Sequence, residues 1–487
     1  MAKAIMIQGT MSNVGKSYVT AGLLRVFMQD GLKAAPFKSQ NMALNSFVTN
    51  EGLEMGRAQV MQAEAAGIEP SADMNPILLK PTTDVGSQVI VNGKAIGNMR
   101  AVDYFKHKQS LIPQIMSAYN RLSEKYDVIV IEGAGSPAEI NLKKNDIVNM
   151  GMAQMAKSPV LLVGDIDRGG VFAQLTGTYM LLEENEKKYI KGFVMNKFRG
   201  DKMILEPGIK MLEDICPVPV TGVLPYTPLD IDDEDSLSDR LGKKQTDEKN
   251  IFICVIKLPR ISNFTDFNML DSVDGCEVRY VDNGKELWDA DCIIIPGTKN
   301  TIADMEWLKE RKLDRMIRLM NNEGCPVVGI CGGFQMLGRK ITDDMGVEGE
   351  IKNINGLGLI DAETVMQSEK TCINGAKMLD GIEGLFSVLN GSMAKGYEIH
   401  AGVTKVGDKE VICSGKNNVF GTYLHGLFDK KEFLNKFLNV LSAETGKKIS
   451  ADFSYETVKE REYDKLADMV RENMDMQAVY RILGKGM

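Results

Sequence analysis

Two short stretches of the chain combine residue types that could do chemistry. The first is GTMSNVGKS, Gly9 to Ser17, which ends on a glycine, a lysine and a hydroxyl in series. Successive backbone N–H groups and the N-terminus of a following helix can cradle phosphate oxygens. Lys16 would then reach the β- and γ-phosphates of a nucleotide, and the Ser17 hydroxyl would ligate Mg2+. The spacing departs from the Walker pattern, which leaves four residues between its first glycine and the Gly-Lys pair. Here five residues separate Gly9 from Gly15, and Thr10 stands where that glycine would be. The second stretch is VVGICGGFQMLG, with Cys331 between an apolar run and a helix-prone segment and small residues on both sides. A sharp strand-to-helix turn of that kind exposes a nucleophile. A helix N-terminus also favours the thiolate and offers N–H groups to an oxyanion.

A cysteine nucleophile needs a base. The chain has three histidines, His107, His400 and His425. His425, in FGTYLHGLF, ends an apolar strand downstream of Cys331 and is the expected base. His400, in GYEIHAG, is the competitor, and His107 lies in a lysine-flanked helix of the first half, where a surface position is expected. Near the phosphate loop in function, Glu132 closes the apolar run of DVIVIEGAG. Ligands of open α/β sheets gather at the carboxyl ends of strands, and a carboxylate there suits Mg2+, which takes hard oxygen ligands. Lys38, Gln40, Asn41 and Asn45 cluster after a short strand, and Asp165, Asp167 and Arg168 sit at the end of another. Such groups face either a ligand's carboxylates and amides or neighbouring backbone.

These residues need a scaffold, and the alternation of elements supplies one. AIMI, DVIVIEGAG, SPVLLVGDI, IKGFVMNKF and VPVTGVLPY read as apolar strands with helical stretches between them, the pattern of a parallel sheet covered by helices. The first helix should bury Val19, Leu23, Val26 and Phe27 and stop at Gly31. A charged, apolar-poor stretch follows, and a second alternating series starts at Ile251 with IFICVIKL, DCIIIPG, CPVVGICGG and VFGTYLH. The expected layout is therefore α/β throughout: a nucleotide domain over 1–240, a linker over 241–250, a second domain over 251–440, and a C-terminal helical extension over 441–487 without evident chemistry. A chain of 487 residues is long enough for two cores. Its net charge of −8 argues against nucleic-acid binding. No apolar run nears the ~20 residues that span a bilayer, and the N-terminal stretch lacks a secretory core. All eight cysteines lie beyond residue 215 without a CxxC pair, so reduced thiols in a cytoplasmic protein are expected. Small-molecule substrates are the expected partners, and a homo-oligomer is compatible with the sequence.

The loop GTxSxxGKS resembles that of the dethiobiotin synthetase-like P-loop ATPases, which phosphorylate a carboxylate or carbamate. The resemblance implies ATP contacts from Gly9, Thr10, Asn13, Gly15, Lys16 and Ser17. It also implies Glu54, at the start of a helix, as a further metal carboxylate beside Ser17 and Glu132, and Asn196 at the adenine edge. The stretch G-x-C-G-G-x-Q resembles the nucleophile motif of class I glutamine amidotransferases, and IIIPGT resembles their oxyanion loop. Gly297 and Gly332 would supply the two N–H groups. That family places a glutamate two residues after the histidine, where this chain has Leu427, so the third member of the site stays unassigned.

The stretches PFKSQNMALNS, EMGRAQVMQAEAAGI, MNPILLKP, DIDRGGVFA and GYEIHAG resemble the cobyric acid synthase family through both domains. That resemblance implies ATP with Mg2+, glutamine as ammonia donor, and a corrinoid that is substrate rather than cofactor. The b, d, e and g carboxylates of adenosylcobyrinic acid a,c-diamide would be amidated, with Lys38, Gln40, Asn41, Asn45, Asp167 and Arg168 contacting the substrate. Two alternatives stay open. A cobyrinic acid a,c-diamide synthase shares both domains but has an acidic substrate loop where this chain reads SQNM. A P-loop scaffold ATPase with a degenerate second domain has no use for an intact Cys331 elbow and His425.

Overall fold

The computed structural model describes residues 1–83, 86–229, 231, 250–449 and 455–485. The chain divides into two compact units, and neither is one continuous segment.

In the first unit the expected apolar runs form β1 (Lys3–Gly9), β2 (Ala34–Phe37), β3 (Val128–Glu132), β4 (Val160–Asp165), β5 (Ile190–Phe198) and β6 (Val220–Pro225). They make one parallel sheet in the order β6-β5-β4-β1-β3-β2. Strands buried on both faces read as continuous apolar runs because helices cover both sides. The chain leaves β1 toward β2 and β3 on one side and returns with β4 on the other, so the sheet order reverses at β1. A crevice at the carboxyl ends is expected there. Register fixes what lines it: Ile7 pairs with Glu132, and Gly9 pairs with Val163. α1 (Lys16–Gln29) buries Val19, Leu23, Val26 and Phe27 as the spacing predicts. It stops where Gly31, at φ 82°, turns its N–H onto the Met28 carbonyl.

The second unit repeats the plan with β7 (Ile251–Ile256), β8 (Cys276–Val281), β9 (Cys292–Ile295), β10 (Val327–Ile330), β13 (Cys413–Lys416) and β14 (Val419–Thr422), in the order β8-β7-β9-β10-β14-β13. Only β13 runs antiparallel to its neighbour. A second sheet holds the long antiparallel pair β11 (Glu363–Met378) and β12 (Met393–Val406).

Two expectations about layout are corrected. Residues 44–52 fall within the expected nucleotide domain but pack in the second unit: Val48 clusters with Tyr397 and Ile399, and the Asn374 amide donates to the Val48 carbonyl at 2.7 Å. The C-terminal segment is not one extension. The helix Lys431–Thr445 packs Phe433 and Phe437 with Phe386, Phe420 and Phe428 of the second unit. The helices Tyr455–Asn473 and Met476–Lys485 instead return to the first unit and put Leu466, Val470, Val479 and Leu483 into its core. Charged sequence hid this because only one face of each helix is apolar. The linker expected over 241–250 lies, apart from Asn250, outside the described residues. All eight cysteines are free, and no described helix is long and apolar enough to cross a membrane.

Candidate active sites

The first site grows from the β1–α1 loop. Asn13 (φ 60°) and Gly15 (φ 92°) take left-handed backbone conformations, which turn successive N–H groups to one side. A Cβ at Gly15 would meet Asn196 Nδ2 at 2.1 Å, so only glycine fits. Asn196, at the end of β5, donates that amide to the Val14 carbonyl at 2.8 Å, and Lys197 donates to the Asn13 carbonyl at 2.7 Å. Asn196 thus braces the phosphate loop through its amide. Thr10 donates its hydroxyl to Gln174 at 3.1 Å. Lys16 reaches the Met11 and Gly135 carbonyls at 3.0 and 3.3 Å, its ammonium folded across the loop.

Glu132 is the centre of a buried polar cluster. Its Oε1 accepts from Ser17 Oγ and from Lys38 Nζ, each at 3.0 Å, and its Oε2 accepts from Gln62. Burial alone would raise this carboxyl, but the Lys38 and Lys16 ammonium groups and the Gln62 amide hold it below the usual carboxylate range. Octahedral magnesium with oxygens at 2.0–2.1 Å sets neighbouring ligands about 2.9 Å apart. The 3.0 Å between Ser17 Oγ and Glu132 Oε1 therefore fits two such ligands.

Glu54 does not open a helix. It lies in the short strand Glu54–Gly56, and its carboxylate pairs with Lys80 at 2.7 Å, both buried. The helix after it, α2 (Arg57–Ala65), is what carries Gln62 to Glu132. Of the expected substrate residues, Gln40 accepts from the Tyr104 hydroxyl and Asn41 donates to Gln59. Asp167 pairs with Arg199 at 2.8 Å, and Arg168 lies 3.9 Å from Asp165. Asn45 belongs to the segment that packs in the second unit, and Lys38, Gln40 and Asn41 belong to the first.

The second site is built at the carboxyl ends of β7, β9, β10 and β14. Cys331 joins β10 to α3 (Gly332–Leu337) with φ 53° and ψ −108°, a strained conformation that costs on the order of 1–3 kcal/mol. The two residues after it leave no room for a side chain: a Cβ at Gly333 would fall 1.9 Å from the Ile295 carbonyl, and one at Gly332 would lie 2.7 Å from Thr298 Cγ2 and 3.2 Å from Thr298 N. That closeness sets the elbow against the loop Pro296–Thr298. A Cβ at Gly297 would stand 3.1 Å from His425 Cε1, so the expected oxyanion glycine lies beside the expected base. The loop is anchored through its Gly297 carbonyl by Ser262 N (2.9 Å) and through the Thr298 hydroxyl by the Arg260 carbonyl (3.1 Å).

His425 is fully buried, and its Nδ1 lies 2.6 Å from Asp266 Oδ2; Asp266 Oδ1 accepts from Gly426 N at 3.0 Å. Burial disfavours the imidazolium, but the Asp266 carboxylate and the Cys331 sulfur beside the ring outweigh it, and His425 is pushed up to about 10. The unassigned third group thus has a candidate in Asp266, from the turn Phe264–Phe267 after β7. Sequence reading missed it by looking near the histidine. No strand-end signal marks it: Glu132 closes its own strand, whereas Asp266 lies in a turn well beyond the end of β7. His400 is engaged elsewhere: its Nδ1 faces the Gly402 carbonyl at 2.8 Å, its Nε2 faces Glu398, and its ring stacks on Tyr423 at 3.7 Å. His107 lies half-buried against Ser110 in the first unit.

Comparison with known proteins agrees with this division. Residues 5–237 match the CobQ/CobB/MinD/ParA nucleotide binding domain family, and residues 252–433 match the CobB/CobQ-like glutamine amidotransferase domain family. A cobyric acid synthase of Lachnoclostridium phytofermentans is 52% identical with both chains covered in full. That of Ruminiclostridium cellulolyticum is 52% identical over 100% of this chain and 98% of its own. That of Clostridium novyi is 49% identical over the same shares. With both domain families matched and near-half identity along its whole length, the chain belongs to the cobyric acid synthase family.

Proposed function

We propose that this enzyme amidates the b, d, e and g carboxylates of adenosylcobyrinic acid a,c-diamide, using ATP and glutamine, to give adenosylcobyric acid. The observation that carries the reading is His425 held between Asp266 and Cys331 in a chain that also bears a phosphate loop facing Glu132. Cys331 Sγ attacks the glutamine carboxamide, and Gly297 and Gly332 N–H groups face the developing oxyanion. His425 delivers its proton to the departing nitrogen, releasing ammonia and leaving a γ-glutamyl thioester. Water, deprotonated by His425, then cleaves the thioester to glutamate and restores the thiol. Asp266 keeps the imidazole oriented and offsets its positive charge.

At the first site Lys16 and the loop N–H groups hold the ATP phosphates. Ser17 and Glu132 would hold Mg2+, which when bound offsets charge on the phosphoryl oxygens. Lys38 lies on Glu132 and offers a cation to an incoming carboxylate, with Gln40, Asn41, Asp167 and Arg168 as further contacts. The substrate carboxylate takes the γ-phosphoryl group of ATP to form an acyl phosphate, and ADP leaves. Ammonia then attacks the acyl carbon, and inorganic phosphate leaves as the amide forms.

A mass-spectrometric time course tests this. The enzyme with MgATP and the a,c-diamide, given glutamine, should add four amides in succession. If the a,c-diamide is untouched while cobyrinic acid gains two amides, the a,c-diamide synthase is the better reading. If neither corrinoid reacts while ATP is hydrolysed, the substrate assignment fails.

A further inference from the structure

The peptide group of Ser46 is held on both sides by residues that reach the glutaminase centre. Its N–H donates to Asn263 Oδ1 at 3.0 Å, and its carbonyl accepts from the Tyr397 hydroxyl at 3.1 Å. Ser46, Asn263 and Tyr397 are all buried, and all belong to the second unit. Asn263 has a left-handed φ of 54° and opens the turn Phe264–Phe267; its carbonyl accepts from Asp266 N at 3.0 Å. Asparagine tolerates this conformation better than most residues, and its side chain here is fixed by the Ser46 N–H. The turn so held is the one that aims Asp266 at His425.

Tyr397 acts on the same histidine independently. Its backbone exchanges two hydrogen bonds with His425, at 2.9 and 3.2 Å, and its ring stacks on the imidazole with centroids 5.2 Å apart. Arg260 and Ser262, just ahead of Asn263, anchor the Pro296–Thr298 loop. A displacement at Ser46 would therefore bear on the orienting acid, the base and, through the same short segment, the oxyanion loop.

The origin of Ser46 gives this contact its meaning. It lies shortly after Lys38, Gln40 and Asn41 in the sequence, in the part of the chain that otherwise builds the nucleotide-binding unit. We infer that residues 44–52 are a positioning element of the glutaminase centre, acting through Asn263 on Asp266 and through Tyr397 on His425. This deepens the glutaminase reading above and rests on it. A purely structural role, with Phe47 and Val48 merely filling space beside Tyr397, predicts lower stability and an unmoved pH profile.

The full-length enzyme tests the inference with L-glutamine as probe and glutamate release as readout. Asn263→Ala should lower kcat about 10- to 100-fold, with KM within about twofold, because misplacing the base is felt in the chemical step. It should also shift the pH profile of glutamine hydrolysis. Asn263→Asp keeps an acceptor for the Ser46 N–H and should restore most of the rate. Tyr397→Phe keeps the ring stack, loses the bond to Ser46, and carries the test if Asn263→Ala fails to fold. Ammonium-driven amidation, which bypasses the centre, reports whether each variant is intact. Rates within twofold of wild type for both Asn263→Ala and Tyr397→Phe overturn the inference. So does a loss of melting temperature with an unmoved pH profile. If the wild type itself releases no glutamate, the glutaminase reading fails first and the inference falls with it.

Discussion

At His425 a buried imidazole has Nδ1 against Asp266 and the Cys331 sulfur close by. Asp266→Asn keeps the size of the side chain and removes its charge. Glutamine hydrolysis should fall about 10²- to 10⁴-fold, the range expected when the base loses its orienting carboxylate and its tautomer. Glutamate release checks this, and ammonium-driven amidation should persist. The same pair predicts a pH dependence. The folded-state pKa of His425 is raised from 6.5 to about 10. Its stabilising contribution is therefore fully present below about 6.5 and is lost as pH rises through about 10. The melting-temperature gap between wild type and Asp266→Asn should be widest near pH 6 and should close above pH 10; calorimetry across that window decides it.

At the scale of elements, two close approaches fix the architecture. Cys331 keeps its strained backbone because Gly333 lies against the Ile295 carbonyl, where no Cβ fits. Gly333→Ala should abolish glutamine-driven turnover by reshaping the elbow, seen as loss of Cys331 alkylation by a glutamine-analogue electrophile. Gly22 plays the equivalent part in α1, where a Cβ would stand 2.6 Å from Val470 Cγ2. The C-terminal helices are thus core elements of the nucleotide-binding unit. Leu466→Ala and Val470→Ala should each destabilise that unit, by about 2–5 kcal/mol for the leucine and less for the valine. Denaturant unfolding followed by ATP binding measures both. This packing was half legible: periodic leucines and valines announce helices, but spacing does not name the surface they cover.

At the scale of the molecule, the two chemistries separate by donor. Cys331→Ala should lose glutamine-driven amidation and keep the ammonium-driven reaction at a rate close to wild type, read by corrinoid mass. Retention of glutamine-driven activity by that variant would remove Cys331 from the mechanism. Much of this protein was determined by sequence alone, because the decisive signals are local. A glycine-lysine-serine turn, a cysteine between glycines and apolar runs ending in acids each specify a strand–loop–helix unit by short-range sterics and burial. Two α/β units were readable for that reason, as were Lys16 and Ser17 at the start of a helix after a strand, Glu132 at a strand end and Cys331 at a strand-to-helix turn. The tertiary structure decided what depends on distant partners. It brought Asp266 to a histidine 159 positions away, paired Glu54 with Lys80, and turned Asn196 onto the phosphate loop. It also returned the C-terminal helices to the first core and placed residues 44–52 in the second unit. Buried polar groups take whichever partner the packed fold brings within reach. Sequence spacing carries no record of that choice.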